Sequence, residues 1–130
     1  MATSLVAGIK KIRRNANPDF VFVEPSERVV TPEMRNVTAM GRRDVSYEIG
    51  PFITLVDGPD FWSLWKERQP LLLGHMAGAD LVAVSKSDLI GAAGVEEIVK
   101  ILKGYCNSIL QLSARSGAGM EEVVKIIGES

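Results

Sequence analysis

The sequence predicts an α/β fold: a parallel sheet with helices on both of its faces. Short apolar segments rich in β-branched and aromatic residues alternate with segments whose apolar residues recur at helical spacing. Most of the short segments are almost continuously apolar, which is typical of strands that are covered on both faces. Alternation of this kind is the pattern of doubly wound βαβ proteins.

Four segments are predicted to be strands because they are short and rich in residues that favour extended backbone. In chain order they are 20–23 (Phe-Val-Phe-Val), 52–56 (Phe-Ile-Thr-Leu-Val), 81–84 (Leu-Val-Ala-Val) and 109–112 (Ile-Leu-Gln-Leu). In sheets of this class, ligands bind at the carboxyl ends of the strands, so we expect the chemistry to lie in the loops that follow them.

Helices are predicted between these strands from apolar stripes and from helix-start signals. Thr31 reads as an N-cap, and Pro32 follows it at the first position of a helix that runs towards Gly41. Pro59 begins another helix, through Trp65. The other helical stripes lie at 5–12, 71–77, 95–102 and 120–127.

Composition narrows the class of protein. The 130 residues, 46% of them hydrophobic, suffice for one domain with its own core, residues 1–130. A formal net charge of −1 argues against binding to nucleic acid through bulk electrostatics. The single cysteine, Cys106, excludes an internal disulfide framework and a cysteine-rich metal cage. No apolar run approaches the ~18 residues of a membrane span and no signal peptide is recognisable, so we expect a cytoplasmic protein.

The turn after the third predicted strand is suited to recognising guanine. It reads Ser85-Lys86-Ser87-Asp88. The Asp88 carboxylate can accept two parallel hydrogen bonds from the ring N–H and the exocyclic amino group of guanine, and adenine offers no such pair. The stem of Lys86 can cover the face of the base. After the next strand, Ser113-Ala114 can supply a backbone N–H to the guanine carbonyl; the alternative is two solvated turns without a ligand.

These segments resemble those of a known group of GTPases. Residues 79–89 (ADLVAVSKSDL) are similar to the AD-apolar-NKxDL segment of P-loop GTPases, and residues 112–122 (LSARSGAGMEE) to their SAxxGxG segment, in the expected order. Residues 21–26 (VFVEPS), and 55–57 (LVD) followed by Phe61, resemble the CobW/HypB/UreG family more narrowly. Members of that family are GTP-hydrolysing metallochaperones or insertases that serve nickel, zinc or cobalt-corrinoid centres.

The resemblance implies a partial P-loop NTPase fold of the SIMIBI type, with a guanine site made by Ser85, Lys86, Asp88, Ser113 and Ala114. It implies GTP or GDP with Mg²⁺ as the cofactors of an intact parent. Glu24 would then face the Mg²⁺ through water, or else pair with a nearby basic side chain. The implied partners are a guanine nucleotide, a P-loop segment and a metalloenzyme or corrinoid-protein client. A homodimer is an open alternative, and neither nucleic acid nor a membrane is expected.

The sequence departs from the family in ways that affect its chemistry. It contains no G-x-x-x-x-G-K-S/T, the loop that cradles phosphates, and no cysteine-rich metal motif. Glu27 stands where the family has glycine and would repel a terminal phosphate, and Ser85 stands in place of asparagine. We therefore expect the C-terminal part of a GTPase domain that does not hydrolyse GTP alone and has no catalytic residue. The alternatives are a non-catalytic interaction module of the same ancestry and an unrelated α/β domain.

The remaining polar candidates have simpler structural explanations. Asp57 and Asp60 could serve a metal or switch region, but capping of the helix at Pro59 accounts for them better. His75 is more simply a partly buried helical histidine than a ligand. The cations between Lys10 and Arg14 are most simply a solvated helix end that complements the helix dipole, with partner docking as the alternative.

Overall fold

A computed structural model describes residues 2–129 and builds them into helices around one parallel sheet. The helices are α1 (Ala2–Asn15), α2 (Thr31–Gly41), α3 (Phe61–Glu67), α4 (Gln69–Met76), α5 (Gly91–Leu102) and α6 (Met120–Glu129). The strands are β1 (Ile53–Asp57), β2 (Leu81–Ser85) and β3 (Ile109–Gln111), and a single 3₁₀ turn spans Ser87–Leu89. None of the helices in this part of the chain is long and apolar enough to cross a bilayer.

The sheet confirms the predicted fold class. Its strands run parallel in the order β1-β2-β3, with Val56 beside Val84 and Val82 beside Ile109. β2 is central and buried on both faces, as its continuous apolar run predicts. Three of the four predicted strands are therefore present, within one or two residues of their expected bounds.

The predicted strand at 20–23 is wrong. This segment is irregular backbone, and its side chains lie in solvent, with Phe20 63% and Phe22 76% exposed. A strand is defined by the neighbour to which it hydrogen-bonds, and no backbone hydrogen bond within residues 2–129 joins 20–23 to β1, β2 or β3. Glu24 therefore follows an exposed extended segment rather than a strand of the sheet.

The main core lies against one face of the sheet. Val56 and Val84, which are paired in register, contribute to a buried cluster with Phe61, Ile98 and Leu102. Phe61 is fully buried and stacks on Trp65, with ring centroids 5.6 Å apart. The stripe of α5 turns Val95, Ile98 and Leu102 inward, which is the periodicity that predicted the helix.

One carbonyl group connects three elements beneath the sheet. The hydroxyls of Thr31 and Thr54 both donate to the backbone oxygen of His75, so α2, β1 and α4 meet at this point. Thr31 was expected to be an N-cap, but the N-cap of α2 is Val30 and Thr31 is already helical. Its hydroxyl donates to the His75 oxygen instead of accepting a backbone N–H at the start of the helix.

Candidate functional site

The turns after β2 and β3 lie side by side at the carboxyl end of the sheet. The backbone N–H of Ser87 donates to the Leu112 oxygen (3.1 Å), and the N–H of Leu112 donates to the Val84 oxygen (2.8 Å). These bonds extend the β2–β3 pairing past the last strand residues. The segment 85–88 is thereby placed beside the segment 112–116, as sequence reasoning expected for neighbouring parallel strands.

A buried hydroxyl holds the carboxylate that was predicted to recognise guanine. Ser113 is fully buried, and its Oγ donates to Asp88 Oδ1 at 2.8 Å. The backbone N–H of Ser116 donates in turn to Ser113 Oγ at 3.1 Å. Asp88 itself is exposed, and no other hydrogen bond within residues 2–129 reaches its carboxylate. The group is therefore fixed from its buried side and open to solvent at Oδ2.

Replacing Ser113 by alanine is expected to lower the free energy of unfolding by about 1–2 kcal/mol, because two hydrogen bonds at a buried oxygen are lost. Urea denaturation followed by circular dichroism measures this change. The matched control is Ser116→Ala: Ser116 is exposed, its hydroxyl accepts only the Ala118 N–H at 3.3 Å, and it should cost within about 0.5 kcal/mol. Equal losses in the two variants would contradict the role given to Ser113.

The backbone around Ala114 leaves a donor unused. The turn is closed by Ser113 N–H to the Ala118 oxygen (2.9 Å) and by Gly117 N–H to the Ser113 oxygen (2.8 Å). Ala114 is an exposed residue, and no hydrogen bond among the described residues uses its N–H. A ligand carbonyl beside Asp88 would therefore find a free backbone donor with only a methyl group beside it.

Lys86 is turned towards β1 rather than towards Asp88. It adopts a left-handed backbone conformation (φ 55°), and its Nζ lies 3.4 Å from Asp57 Oδ2. The side chain of Lys86 is 59% exposed, so the pair contributes little to stability. The other oxygen of Asp57, Oδ1, is buried and has no hydrogen-bond partner within residues 2–129. Sequence reasoning missed this pair, although the adjacency of β1 and β2 puts the two residues at neighbouring strand ends.

Ser85 connects β2 to β1. Its Oγ donates to the Val56 oxygen at 3.2 Å, and its own carbonyl accepts the Gly58 N–H at 3.1 Å. A Cβ at position 58 would stand 2.7 Å from that carbonyl oxygen, so only glycine permits the approach. Among the predicted site residues, Ser85 is thus the one whose side chain is engaged within the sheet.

No contact among the described residues brings together Glu24, Asp57 and Asp60, the carboxylates that the sequence offered for a metal ion. No ion pair or hydrogen bond within residues 2–129 connects the Glu24 side chain to the turns after β1, β2 or β3. The same part of the chain holds no group of three or more His, Cys, Asp or Glu side chains that could bind a metal ion. Asp60 occupies the N-cap position of α3 but makes no side-chain capping bond.

His75 and Cys106 each contact a backbone oxygen of the fold rather than another candidate ligand. The ring Nε2 of His75 is within hydrogen-bond distance of the Glu27 backbone oxygen, and the residue is half-buried. Cys106 donates from Sγ to the Leu102 oxygen at 3.4 Å, and burial raises the pKa of its thiol. A raised pKa keeps the thiol protonated and poorly nucleophilic at neutral pH.

Comparison with known proteins gives one match. A family model described as the CobW/HypB/UreG nucleotide-binding domain matches residues 1–111. This range contains all three strands and the turn at 85–88, and it ends just before Ser113 and Ala114. No curated protein and no solved structure matches the chain.

Proposed function

Because the chain belongs to the CobW/HypB/UreG nucleotide-binding family, a GTPase-type family that handles metals, we propose that its part in nucleotide binding is recognition of the guanine base. The proposed site is formed by the turns that follow β2 and β3. The observation that carries the proposal is the buried Ser113 hydroxyl that holds Asp88 in place at the surface.

The donor and acceptor pattern of the site suits guanine. Guanine presents a ring N–H and an amino group on one edge, and an aspartate carboxylate can accept from both. Its carbonyl oxygen lies next to that edge, and we assign the unused N–H of Ala114 to it. Adenine reverses the pattern at these positions, since it lacks the ring N–H and carries an amino group in place of the carbonyl. Binding adenine would therefore leave both the carboxylate and the Ala114 N–H unpaired.

Lys86 has a secondary part in the proposal. Its aliphatic stem can lie against one face of the base while its ammonium group stays near Asp57. Ser85 supports the site indirectly, because it fixes the end of β2 against β1 and so positions the turn that carries Lys86 and Asp88.

The residues present do not fit a Mg²⁺–phosphate site. The sequence has no G-x-x-x-x-G-K-S/T to hold the phosphates, and no contact within residues 2–129 brings the Glu24 carboxylate to the turns after the strands. We derive no hydrolytic step for this chain. Its proposed role is base recognition within a GTPase-type cytoplasmic system that serves a metalloenzyme or corrinoid protein, with the P-loop supplied by another segment.

The direct test is a titration of the isotope-labelled chain with GDP and with ADP, followed by NMR. Most nucleotide affinity comes from phosphate contacts, so binding through the base alone is expected near millimolar, about −4 kcal/mol. GDP should shift the amide signals of residues 85–89 and 113–116, and ADP should leave them in place. Equal responses to GDP and ADP, or none to either, would favour the non-catalytic interaction module instead.

Replacing Asp88 by asparagine is expected to remove the preference for GDP over ADP, which corresponds to at least a tenfold weaker GDP interaction, about 1.4 kcal/mol. An asparagine amide can instead donate to the carbonyl that xanthine carries in place of the guanine amino group. The variant should therefore respond to xanthosine diphosphate in the same NMR titration. Asp60→Asn, another exposed aspartate after a neighbouring strand, is the matched control and should behave like the parent. An Asp88→Asn chain that still prefers GDP would refute the assignment.

A further inference from the structure

A positively charged surface is formed by residues from the first fifty of the chain, whereas the nucleotide motifs lie after residue 80. The last turns of α1 and the turn that follows α2 form an open, shallow hollow of about 610 Å³, lined by Lys10, Arg13, Arg14, Asn17, Asp44 and Val45. A second hollow of about 290 Å³ shares Asp44 and Val45 and is lined also by Arg42 and Arg43. We call the surface formed by Lys10, Arg13, Arg14, Arg42 and Arg43 the basic cleft.

The positive charge of the basic cleft is not neutralised within the described part of the chain. Asp44 is its only acidic lining residue, and it lies beyond 4.0 Å, the ion-pair distance, from every one of the five cations. The two ion pairs within residues 2–129 are elsewhere, between Arg35 and Asp80 and between Lys86 and Asp57. Five like charges are therefore held close together at one concave surface, which favours an anionic ligand.

The helix dipole explains only part of this cluster. Arg13 and Arg14 stand in the last turn of α1, where cations are favourable without any ligand. Arg42 and Arg43 belong to a different element, about thirty residues further along the chain, and follow the end of α2. The dipole of each helix explains the cations at its own end, but it does not explain why the cations of both helix ends lie beside each other.

Hydrogen bonds hold the backbone that carries the basic cleft. Arg13 Nη1 donates to the Ser46 oxygen at 2.9 Å, which joins α1 to the turn. Val45 is 5% exposed, and its N–H donates to the Gly41 oxygen at 3.1 Å. The Tyr47 hydroxyl donates to the Thr38 oxygen at 2.5 Å, and burial raises the pKa of this phenol against the opposing effect of Arg42. A ligand would therefore have to order the arginine side chains but not the backbone beneath them.

We propose that the basic cleft binds a carboxylate-rich segment of a partner protein. Arginine pairs with carboxylates through two parallel hydrogen bonds, and three of the five cations are arginines whose guanidinium groups make no described hydrogen bond or ion pair: Arg14, Arg42 and Arg43. A long polyanion such as nucleic acid fits less well. Residues 51–130 carry ten acidic and seven basic side chains, so this part of the chain has a net negative charge and offers a polyanion no net attraction. This proposal is independent of guanine recognition.

The test is fluorescence anisotropy with a short fluorescein-labelled oligoglutamate peptide and the full chain at low salt. The double variant Lys10→Glu/Arg14→Glu reverses two exposed charges and leaves the Arg13–Ser46 hydrogen bond in place. It is expected to bind the peptide at least tenfold more weakly, about 1.4 kcal/mol. The matched control is Lys100→Glu/Lys103→Glu, which reverses two exposed charges at the end of α5 and should bind like the parent.

Three results would overturn the proposal. The first is equal weakening in the two double variants, or no binding at low salt, which would leave the cluster a solvated surface. The second is tighter binding of an oligothymidylate of equal charge than of oligoglutamate, which would assign the surface to nucleic acid. The third is self-association in sedimentation that the Lys10→Glu/Arg14→Glu pair alone abolishes, which would make a second copy the occupant. Circular dichroism confirms that each variant is folded before it is compared.

Discussion

Replacing Phe61 by alanine is expected to lower the free energy of unfolding by about 3–5 kcal/mol, a large share of the stability of a domain this small. The Phe61 ring is fully buried and belongs to the cluster that covers Val56 and Val84 of the sheet. It stacks on Trp65 and meets the edge of Trp62 at a centroid distance of 5.0 Å. Truncation leaves a cavity at the junction of α3 with the sheet, and the surrounding residues can collapse into it only in part.

Urea denaturation measures this loss, with tryptophan fluorescence as a second probe because Trp65 packs directly on the Phe61 ring. Phe61→Leu retains most of the buried volume and should cost about 1–1.5 kcal/mol, so the comparison stays informative if the alanine variant is unfolded in water. Trp62→Ala is the control at an exposed neighbour, 47% accessible, and should cost less than Phe61→Ala. A Phe61→Ala loss no larger than that of Phe61→Leu would show that the ring does not support the core.

The second large effect is expected at Gly119, the last residue of the connection from β3 to α6. Gly119 has a φ of +78°, and a Cβ built there would lie 2.1 Å from the backbone oxygen of Gln111. Alanine would therefore meet both a strained backbone conformation and a clash with backbone atoms that cannot rotate away. We expect Gly119→Ala to lower the free energy of unfolding by about 3 kcal/mol or more.

Gly117 provides a matched comparison two residues earlier. Its φ is +87°, but a Cβ there would meet nothing within 4 Å. Gly117→Ala is therefore expected to lower the free energy of unfolding by about 1 kcal/mol, because it strains the backbone without adding a clash. Urea denaturation of the two variants side by side measures the difference. Equal losses would mean that the approach of Gly119 to Gln111 is not a close one in solution.

The sequence predicted β2 well because its burial on both faces leaves a continuous apolar run, Leu81 to Val84. It failed at Phe20 to Val23 for a physical reason. An apolar run of this length shows that the segment favours extended backbone. Whether it forms a strand also depends on a neighbouring strand, and the sequence of one segment does not show whether that neighbour exists. In the structure β1 pairs with β2, and no strand within residues 2–129 pairs with the segment 20–23.

The sequence likewise predicted some contacts of the candidate site and missed others. Asp88 and Ser113 could be placed near each other because each follows one of two consecutive parallel strands, and their hydrogen bond agrees with that expectation. The pairing of Lys86 with Asp57 and the turn of Ser85 towards β1 depend on the strand order and on the left-handed conformation of Lys86. Sequence spacing carries neither kind of information.

The open edge of β1 has a consequence for how the chain behaves at high concentration. Among the described residues β1 pairs on one side only, Leu55 is 60% exposed, and the uncharged run from Phe20 to Val23 lies in solvent. An unpaired edge together with a free apolar segment is a template for intermolecular β-aggregation. Asp19 and Glu24 flank that segment directly and act as gatekeepers, since stacking the segment between chains would bring like charges together. Glu24 thus contributes to keeping the chains apart whether or not it ever faces a metal.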